Sequence, residues 1–519
     1  MTGTSLEALS ERYGTAYRWI VTFTGMIAAM TMILSSTMVN VAVPTIMGSY
    51  GVGQDEAQWM ATAFLATMTA SQLLGAWVIS SFGHRAGYLG AVGIFIVGSF
   101  VCAWAPNIDI LILGRVVQGF AAGIVQPLAM VMIFRVFPPE RRGLAMSAYG
   151  MGIMIAPIMG PVVGGLTIDL IGWRELFYIP LPVTVLALML GSVFFPGRES
   201  NAPTERFDWT GYLLLVVAIT CLMVFIANGQ RDGWSSDRTL IRGLLGTVCA
   251  VAFVLTQMRS STPLLDFTLF RHPQFAAAAM LGFVFGAGNF ASTYAIPVFV
   301  QTVQYFTPTL AGVVTVPAGI VLMLLFPVGG RLVDALPVHL LAMGGLLLFA
   351  AGTALLNTAD AHTTFWTLAV YVIVGRIGLS LLMPTINVSA LRALPPEQLN
   401  RGSGTINFIR LMGGAVGVNS FVVFIEQRAE FHSVALAATQ TPSNTVSREL
   451  LEQIGLLLGS GGVPEAARAS GALHYLGRVI EAQANTLGFQ DGFMLITAVF
   501  LGALIPAWVL GLLGNRRRR

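Results

Sequence analysis

Between residues 18 and 513 the chain is a succession of apolar runs, most of about 20 residues or more, separated by short polar connections. Nothing else in the sequence restricts the fold as strongly, because a helix of that length crosses ~30 Å of hydrocarbon at ~1.5 Å per residue. Composition leaves these runs no other location. Hydrophobic residues make up 55% of the 519 and charged residues 10%, whereas a soluble domain carries about 25% charge. The surplus apolar surface faces lipid, where every backbone polar group needs an internal partner. The fold class that follows is an all-α polytopic membrane protein.

We read spans over 18–46, 56–80, 87–105, 108–134, 143–169 and 174–195, then 209–228 and 240–258, then 274–301, 309–332, 338–357, 364–388, 403–426 and 491–513. That is about 14 transmembrane helices grouped six, two, six. The expected organisation is an N-terminal six-helix bundle (1–200), two inserted linker helices (201–265) and a C-terminal six-helix bundle (266–519) with a long outer loop at 427–490.

Arginine placement orients the chain. No lysine occurs, so all 28 Lys+Arg positions are arginine. With both termini cytoplasmic, the inner connections hold Arg12, Arg85, Arg141, Arg142, Arg198, Arg206, Arg259, Arg271, Arg331, Arg392, Arg401 and Arg516–Arg519, while the short outer loops near 50, 107, 305 and 360 hold none. Arg174, and Arg231 with Arg238, are exceptions that lie beside acidic residues. Positive charge in short loops marks the cytoplasmic side. The chain is therefore expected to cross its membrane many times. The net charge of +4 is therefore topological, and the dispersed arginines without interleaved aromatics argue against nucleic acid as a partner. The arginine tail is placed to meet anionic lipid headgroups. A polar N-terminus leading into a full-length span carries no expected cleavable signal. Cys102, Cys221 and Cys249 fall inside spans and imply no disulfide framework.

Within 427–490, NTVSRELLEQIGLLLGSGG and PEAARASGALHYLGRVIEAQ show helical spacing of apolar residues among charges, which predicts two short amphipathic helices on the outer face. They fit either a cap on the membrane surface or a docking site for a periplasmic partner.

Internal repetition relates the two outer groups of spans. LILGRVVQG (111–119) and YVIVGRIGLS (371–380) each place Gly-Arg in the fourth span of their group. GAWVISSFGHR (75–85) and GGRLVDALPVH (329–339) each follow the second span. Paired bundles of this kind build transporters around a midplane site.

These motifs resemble the major facilitator superfamily, specifically its fourteen-helix drug:proton antiporters of the EmrB/QacA type. STMVNVAVPTI (36–46), GRVVQG (114–119), GPVVGG (160–165) preceded by AP (156–157), WRELFYIPLPV (173–183) and NFIRLMGGAVG (407–417) carry the resemblance, which covers nearly the whole chain. It implies the major facilitator fold in a bacterial inner (cytoplasmic) membrane, alternating access and proton-coupled efflux of hydrophobic drugs or toxic amphiphiles. No cofactor is implied, since the proton gradient is the energy source. The implied partners are a small-molecule substrate and membrane lipids, with a periplasmic membrane-fusion adaptor and an outer-membrane channel where the cell envelope has them. It also implies that Pro157, Gly160, Pro161, Gly164 and Gly165 form an antiporter gate, the glycines letting helices meet closely and the prolines setting a bend. Ordinary small-residue packing is the alternative for these glycines.

Two departures bear on mechanism. The family places an aspartate in its first helix where this chain has Ser35, and often another in the loop after the second helix where it has Ser80. The second-half copy keeps Asp334, either a gating contact or a solvated loop residue. Asp55, Glu56, Asp109, Asp169 and Glu426 all sit near span ends, leaving no clearly midspan carboxylate. Arg115, Arg376 and Arg410 remain embedded, either facing a cavity or donating to helix carbonyls. Cavity candidates are Ser35, Asn40, Gln58, Trp59, Gln72, Gln118, Gln126, Asn289, Tyr294, Gln301, Asn387 and Asn407, each of which could instead bond helix to helix. With arginines as the only ionisable groups at depth, neutral or anionic compounds are favoured over lipophilic cations.

An integral-membrane enzyme is a different reading, as is a lipid or metabolite exporter of the same fold. His84, His272, His339, His362, His432 and His474 are scattered without metal-ligand spacing. Without lysine there is no ATP-binding glycine loop of the usual kind. The chain is read as a transporter, not an enzyme.

Overall fold

The structure, a computed structural model, describes residues 6–138, 141–197, 207–260, 263–395, 398–441 and 443–516. Every regular element among them is helical. The expected inner arginines Arg198 and Arg206, and those of the tail from 517 onward, lie outside the described residues.

The first group comprises α1 (Leu6–Tyr13), α2 (Ala16–Tyr50), α3 (Gln54–Ala57), α4 (Trp59–Gln72), α5 (Gly75–Ala103), α6 (Ile108–Val136), α7 (Arg142–Leu170) and α8 (Leu181–Phe194). Two helices follow, α9 (Trp209–Asp232) and α10 (Asp237–Arg259). The second group comprises α11 (Pro273–Thr302), α12 (Pro308–Val313), α13 (Val316–Ala335), α14 (Val338–Leu356), α15 (Phe365–Arg392), α16 (Leu399–Ala438), α17 (Thr445–Ser460), α18 (Glu465–Gly502) and α19 (Leu504–Arg516). Thirteen described segments are long and apolar enough to cross a membrane. The expected span 56–80 adds a fourteenth crossing in broken form, interrupted at Leu73 and Leu74. Together they make about fourteen membrane crossings.

Local chemistry accounts for the breaks. Gly51 ends α2 in a left-handed cap (φ +67°), returning its N–H to the Met47 carbonyl. Inside α5, Gly83 takes φ +80°, and there the expected loop between the second and third spans shrinks to a kink only glycine enters freely. The last span divides at Ala503, just before the ring of Pro506 would clash with the Gly502 carbonyl.

The expected outer loop is corrected. α16 has 40 residues and α18 has 38, lengths of roughly 60 Å and 57 Å at 1.5 Å per residue, about twice the hydrocarbon thickness. Both run on past the bilayer as a projecting pair, with α17 packed against α18. One of the two expected short helices exists as α17, whose N-cap Asn444 accepts from the Ser447 N–H. The other is the leading end of α18, since no proline interrupts the chain between Glu465 and Gly502. The stretch 427–490 is therefore mostly continuous with the spans beneath it.

The two groups meet along three contacts, one of them α2 against α11. α4 packs against α16, and α9 lies over that seam, touching both and receiving a 2.8 Å bond from Asn419 Nδ2 at the Met223 carbonyl. α7 packs against α12 and α13.

Candidate functional site

Between the two groups lies a cavity of about 270 Å³. α2 supplies Ile33, Ser36, Thr37 and Asn40; α4 supplies Ala61, Phe64, Leu65 and Met68. α11 adds Phe285, Asn289, Phe290, Thr293 and Tyr294, and Phe326, Met323 and Met383 extend the apolar wall. Among the described residues no Asp, Glu or His lines it, while Arg115, Arg376 and Arg410 all do.

Each arginine is held by neutral acceptors. On α6, Arg115 is fully buried: Nε donates to the Met60 carbonyl at 3.0 Å and Nη1 to Gln118 Oε1 at 2.8 Å, with the guanidinium 4.3 Å from the Phe64 ring centre. Its Nη2 has no hydrogen-bond partner among the described residues. Gln118 is fixed in turn by donating to Ser99 Oγ at 2.8 Å. On α15, Arg376 donates to Asn289 Oδ1 at 2.6 Å and Thr293 Oγ1 at 3.0 Å. Arg410 on α16 donates to Asn407 Oδ1. Among the described residues none of the three forms an ion pair. Three formal positive charges thus border one apolar-walled cavity without a balancing carboxylate.

Of the other residues singled out, Asn40, Gln126, Asn289 and Tyr294 line the cavity, as do Pro157 and Pro161. Ser35 does not: it is buried with an unpartnered hydroxyl, and the neighbouring Ser36 faces the cavity instead. Gln58 is buried and donates to the Asp55 carbonyl at 3.1 Å. Trp59, Gln72 and Asn387 are half-buried outside the lining, and Gln118 and Asn407 reach it only through the arginines they hold. Gln301 donates across the groups to the Val41 carbonyl at 2.9 Å. The side chain of Asp334 lies outside the described residues. Ser36, Thr37, Thr293 and the phenylalanine wall escaped the sequence reading. For Thr293 a signal exists: it follows Asn289 by one helical turn, so both face Arg376.

Beyond the cavity, on the side away from the termini, the groups close on each other. A Cβ at Gly165 of α7 would stand 2.6 Å from Thr309 Cα, and one at Gly312 of α12 would stand 2.5 Å from the Pro161 carbonyl carbon. Asp169 accepts from the Thr309 N–H at 2.9 Å and from its hydroxyl. Gly160 and Gly164 pack within their own group, against Thr37 and the Met38 backbone of α2. The glycines of one motif therefore divide between two interfaces.

Comparison with known proteins agrees with this architecture. Residues 25–418 match the family model of the Major Facilitator Superfamily. The chain is 28% identical to the multidrug export protein EmrB of Haemophilus influenzae, covering 93% of each. It is 30% identical to a multidrug resistance protein B homolog of Mycobacterium tuberculosis, over 91% of this chain and 86% of that one. Among solved structures, a peptide transporter POT superposes with a TM-score of 0.63 at 15% identity, covering 95% of this chain and 94% of the other. A bacterial homologue of the human lysosomal transporter Spinster, inward-facing and unoccupied, gives 0.62 at 16% identity, covering 96% and 98%. At such identity these two likenesses speak for the fold alone.

Proposed function

The chain belongs to the Major Facilitator Superfamily, and from that premise we propose that it exports hydrophobic neutral or anionic compounds in exchange for protons. It is a multi-pass membrane transporter, related over nearly its whole length to multidrug export proteins. Both termini are cytoplasmic in this proposal, so the closed side of the cavity is the outer one and substrate is loaded from the cytoplasmic side.

The observation that carries the choice of substrate is a cavity bordered by Arg115, Arg376 and Arg410 and, among the described residues, by no acidic side chain. A lipophilic cation there would be desolvated beside three like charges and no counter-ion, a penalty on the order of several kcal/mol. A lipophilic acid would instead find an arginine, with Arg115 Nη2 holding an unused donor. Neutral amphiphiles avoid the penalty and pack on the phenylalanine and methionine walls.

Resistance profiling in an efflux-deficient host tests this, with Ser36→Asp placing a carboxylate on the lining. Protection is expected against lipophilic weak acids and neutral amphiphiles, and little against ethidium. Ser36→Asp should shift the profile towards cations. Strong protection by the unmodified protein against ethidium, with none against lipophilic acids, would overturn the assignment.

A further inference from the structure

We propose that Glu426 carries the coupled proton, an inference that rests on the reading of the protein as a proton-driven exporter. The cavity-lining Tyr294 is fully buried and its hydroxyl has no hydrogen-bond partner. Its polar neighbours are Gln54 of α3 and Glu426 of α16. α3 packs against α16, and the Glu426 carboxyl lies close enough to Asp55 to feel its charge and its backbone N–H. Asp55 belongs to the first group and Glu426 to the second, so a pair of carboxylates faces across the seam at the closed end of the cavity. The buried Tyr294 hydroxyl, with Gln54 beside it and Glu426 near enough to act on it electrostatically, lies between this pair and the cavity.

The surrounding charges leave Glu426 without a counter-ion. From α9, Arg231 lies 3.7 Å from Asp55 and also bonds Glu56, so one half-exposed guanidinium already serves two carboxylates. On the same helix Asp232 is taken by Arg242 at 2.8 Å. From α18, Asp491 is occupied by Arg428 and His432 at 2.5 and 2.7 Å. Glu430, next along α16, receives Gln230. α4 has no charged residue, and α15 offers Arg376, engaged with Asn289 and Thr293. Among the described residues Glu426 forms no ion pair.

Two carboxylates in one site cannot both be ionised without repulsion, so the closed seam demands a proton. With the outer side open, a Glu426 oxygen binds a proton from the outer medium, and the neutral side chain lets Asp55 approach. Once the seam has closed, that O–H bond breaks towards cavity water past Tyr294, and the proton leaves on the cytoplasmic side. The carboxylate left behind repels Asp55 and drives the outer side open with substrate aboard. One proton enters per substrate expelled.

The test reads the seam without substrate. Spin labels at Leu170→Cys and Tyr305→Cys, both exposed positions on opposite groups, report the outer distance by electron–electron resonance in a background lacking the native cysteines. Between about pH 5 and about pH 9 the otherwise unmodified protein should open as pH rises, because loss of the proton restores the repulsion between the two carboxylates. Glu426→Gln should stay closed throughout, and Asp55→Asn should likewise lose the response. A Glu426→Gln protein that follows the parent pH response, or a parent with no response, overturns the proposal. Flux of 8-anilino-1-naphthalenesulfonate and of ethidium in proteoliposomes under an imposed pH gradient reads the exporter separately. Parent-rate, gradient-driven flux in Glu426→Gln sinks the role of Glu426. Absence of flux for both probes, with the pH response intact, counts against the exporter and supports Glu426 as the proton site.

Discussion

Replacing Gly165 by alanine should weaken the closed outer side by a calculable amount. The added Cβ would lie 2.6 Å from Thr309 Cα and 2.7 Å from the Pro308 carbonyl carbon, both backbone atoms that cannot swing aside. Ordinary contacts of this kind are ~3.5–4.0 Å, so α7 and α12 must part by about 1 Å. Overpacking of that order costs ~1–3 kcal/mol. The cost falls on the closed state alone, because the two helices belong to different groups and separate on opening. At ~1.4 kcal/mol per factor of ten, the closed-to-open ratio should fall roughly 5- to 150-fold. Distances between labels on Leu170→Cys and Tyr305→Cys measure that ratio directly. Gly164→Ala is the informative contrast: its Cβ would meet Met38 backbone at 3.0 and 3.1 Å within one group, so it should lower thermal stability without moving the distance distribution. Gly150→Ala, with nothing within 4 Å, should do neither. An unchanged distribution for Gly165→Ala in well-folded protein would refute the assignment of the gate to this contact.

Arg115→Lys should rescue export poorly relative to Arg115→Ala, because a lysine cannot reproduce the simultaneous bonds to Met60 and Gln118 over the Phe64 face; full export by the lysine variant would reduce Arg115 to a point charge. Asp169→Asn should loosen the outer seam in the same distance assay by ~1–2 kcal/mol, since it weakens charge-assisted bonds to Thr309 that cross the two groups. On the terminus side, burial raises the Asp266 carboxyl, but hydrogen bonds from Thr268 and the Arg401 guanidinium outweigh it and hold the group below the usual carboxylate range. A depressed folded value means that the stabilisation is complete above the ordinary carboxylate pKa and is lost as pH falls through the lower folded one. Asp266→Asn keeps the helix cap but loses the charge that the Thr268 and Arg401 bonds favour, so it should cost ~0.5–1.5 kcal/mol at neutral pH, with the deficit shrinking on acidification; equal melting temperatures of variant and parent at neutral pH would contradict this.

What the amino-acid order determines by itself is whatever the solvent judges one segment at a time. Crossing segments and the depth of Arg115, Arg376 and Arg410 follow from the cost of placing polar groups in hydrocarbon, which needs no knowledge of neighbours. The facing of each residue is different. A helix that is apolar on all sides has no hydrophobic stripe to announce its rotation, so the choice between Ser35 and Ser36 is made by how α2 packs in the bundle. The same holds for Gly164 and Gly165, adjacent in sequence yet serving separate interfaces, and for Gly312, whose pairing with Pro161 joins residues about 150 positions apart. Glu426 reads as the end of a span until α16 is seen to continue to Ala438, and its significance comes from Asp55 and Tyr294, brought to it from two other helices. Solvation writes the spans locally, while rotation, register and pairing are settled only when the helices pack against one another.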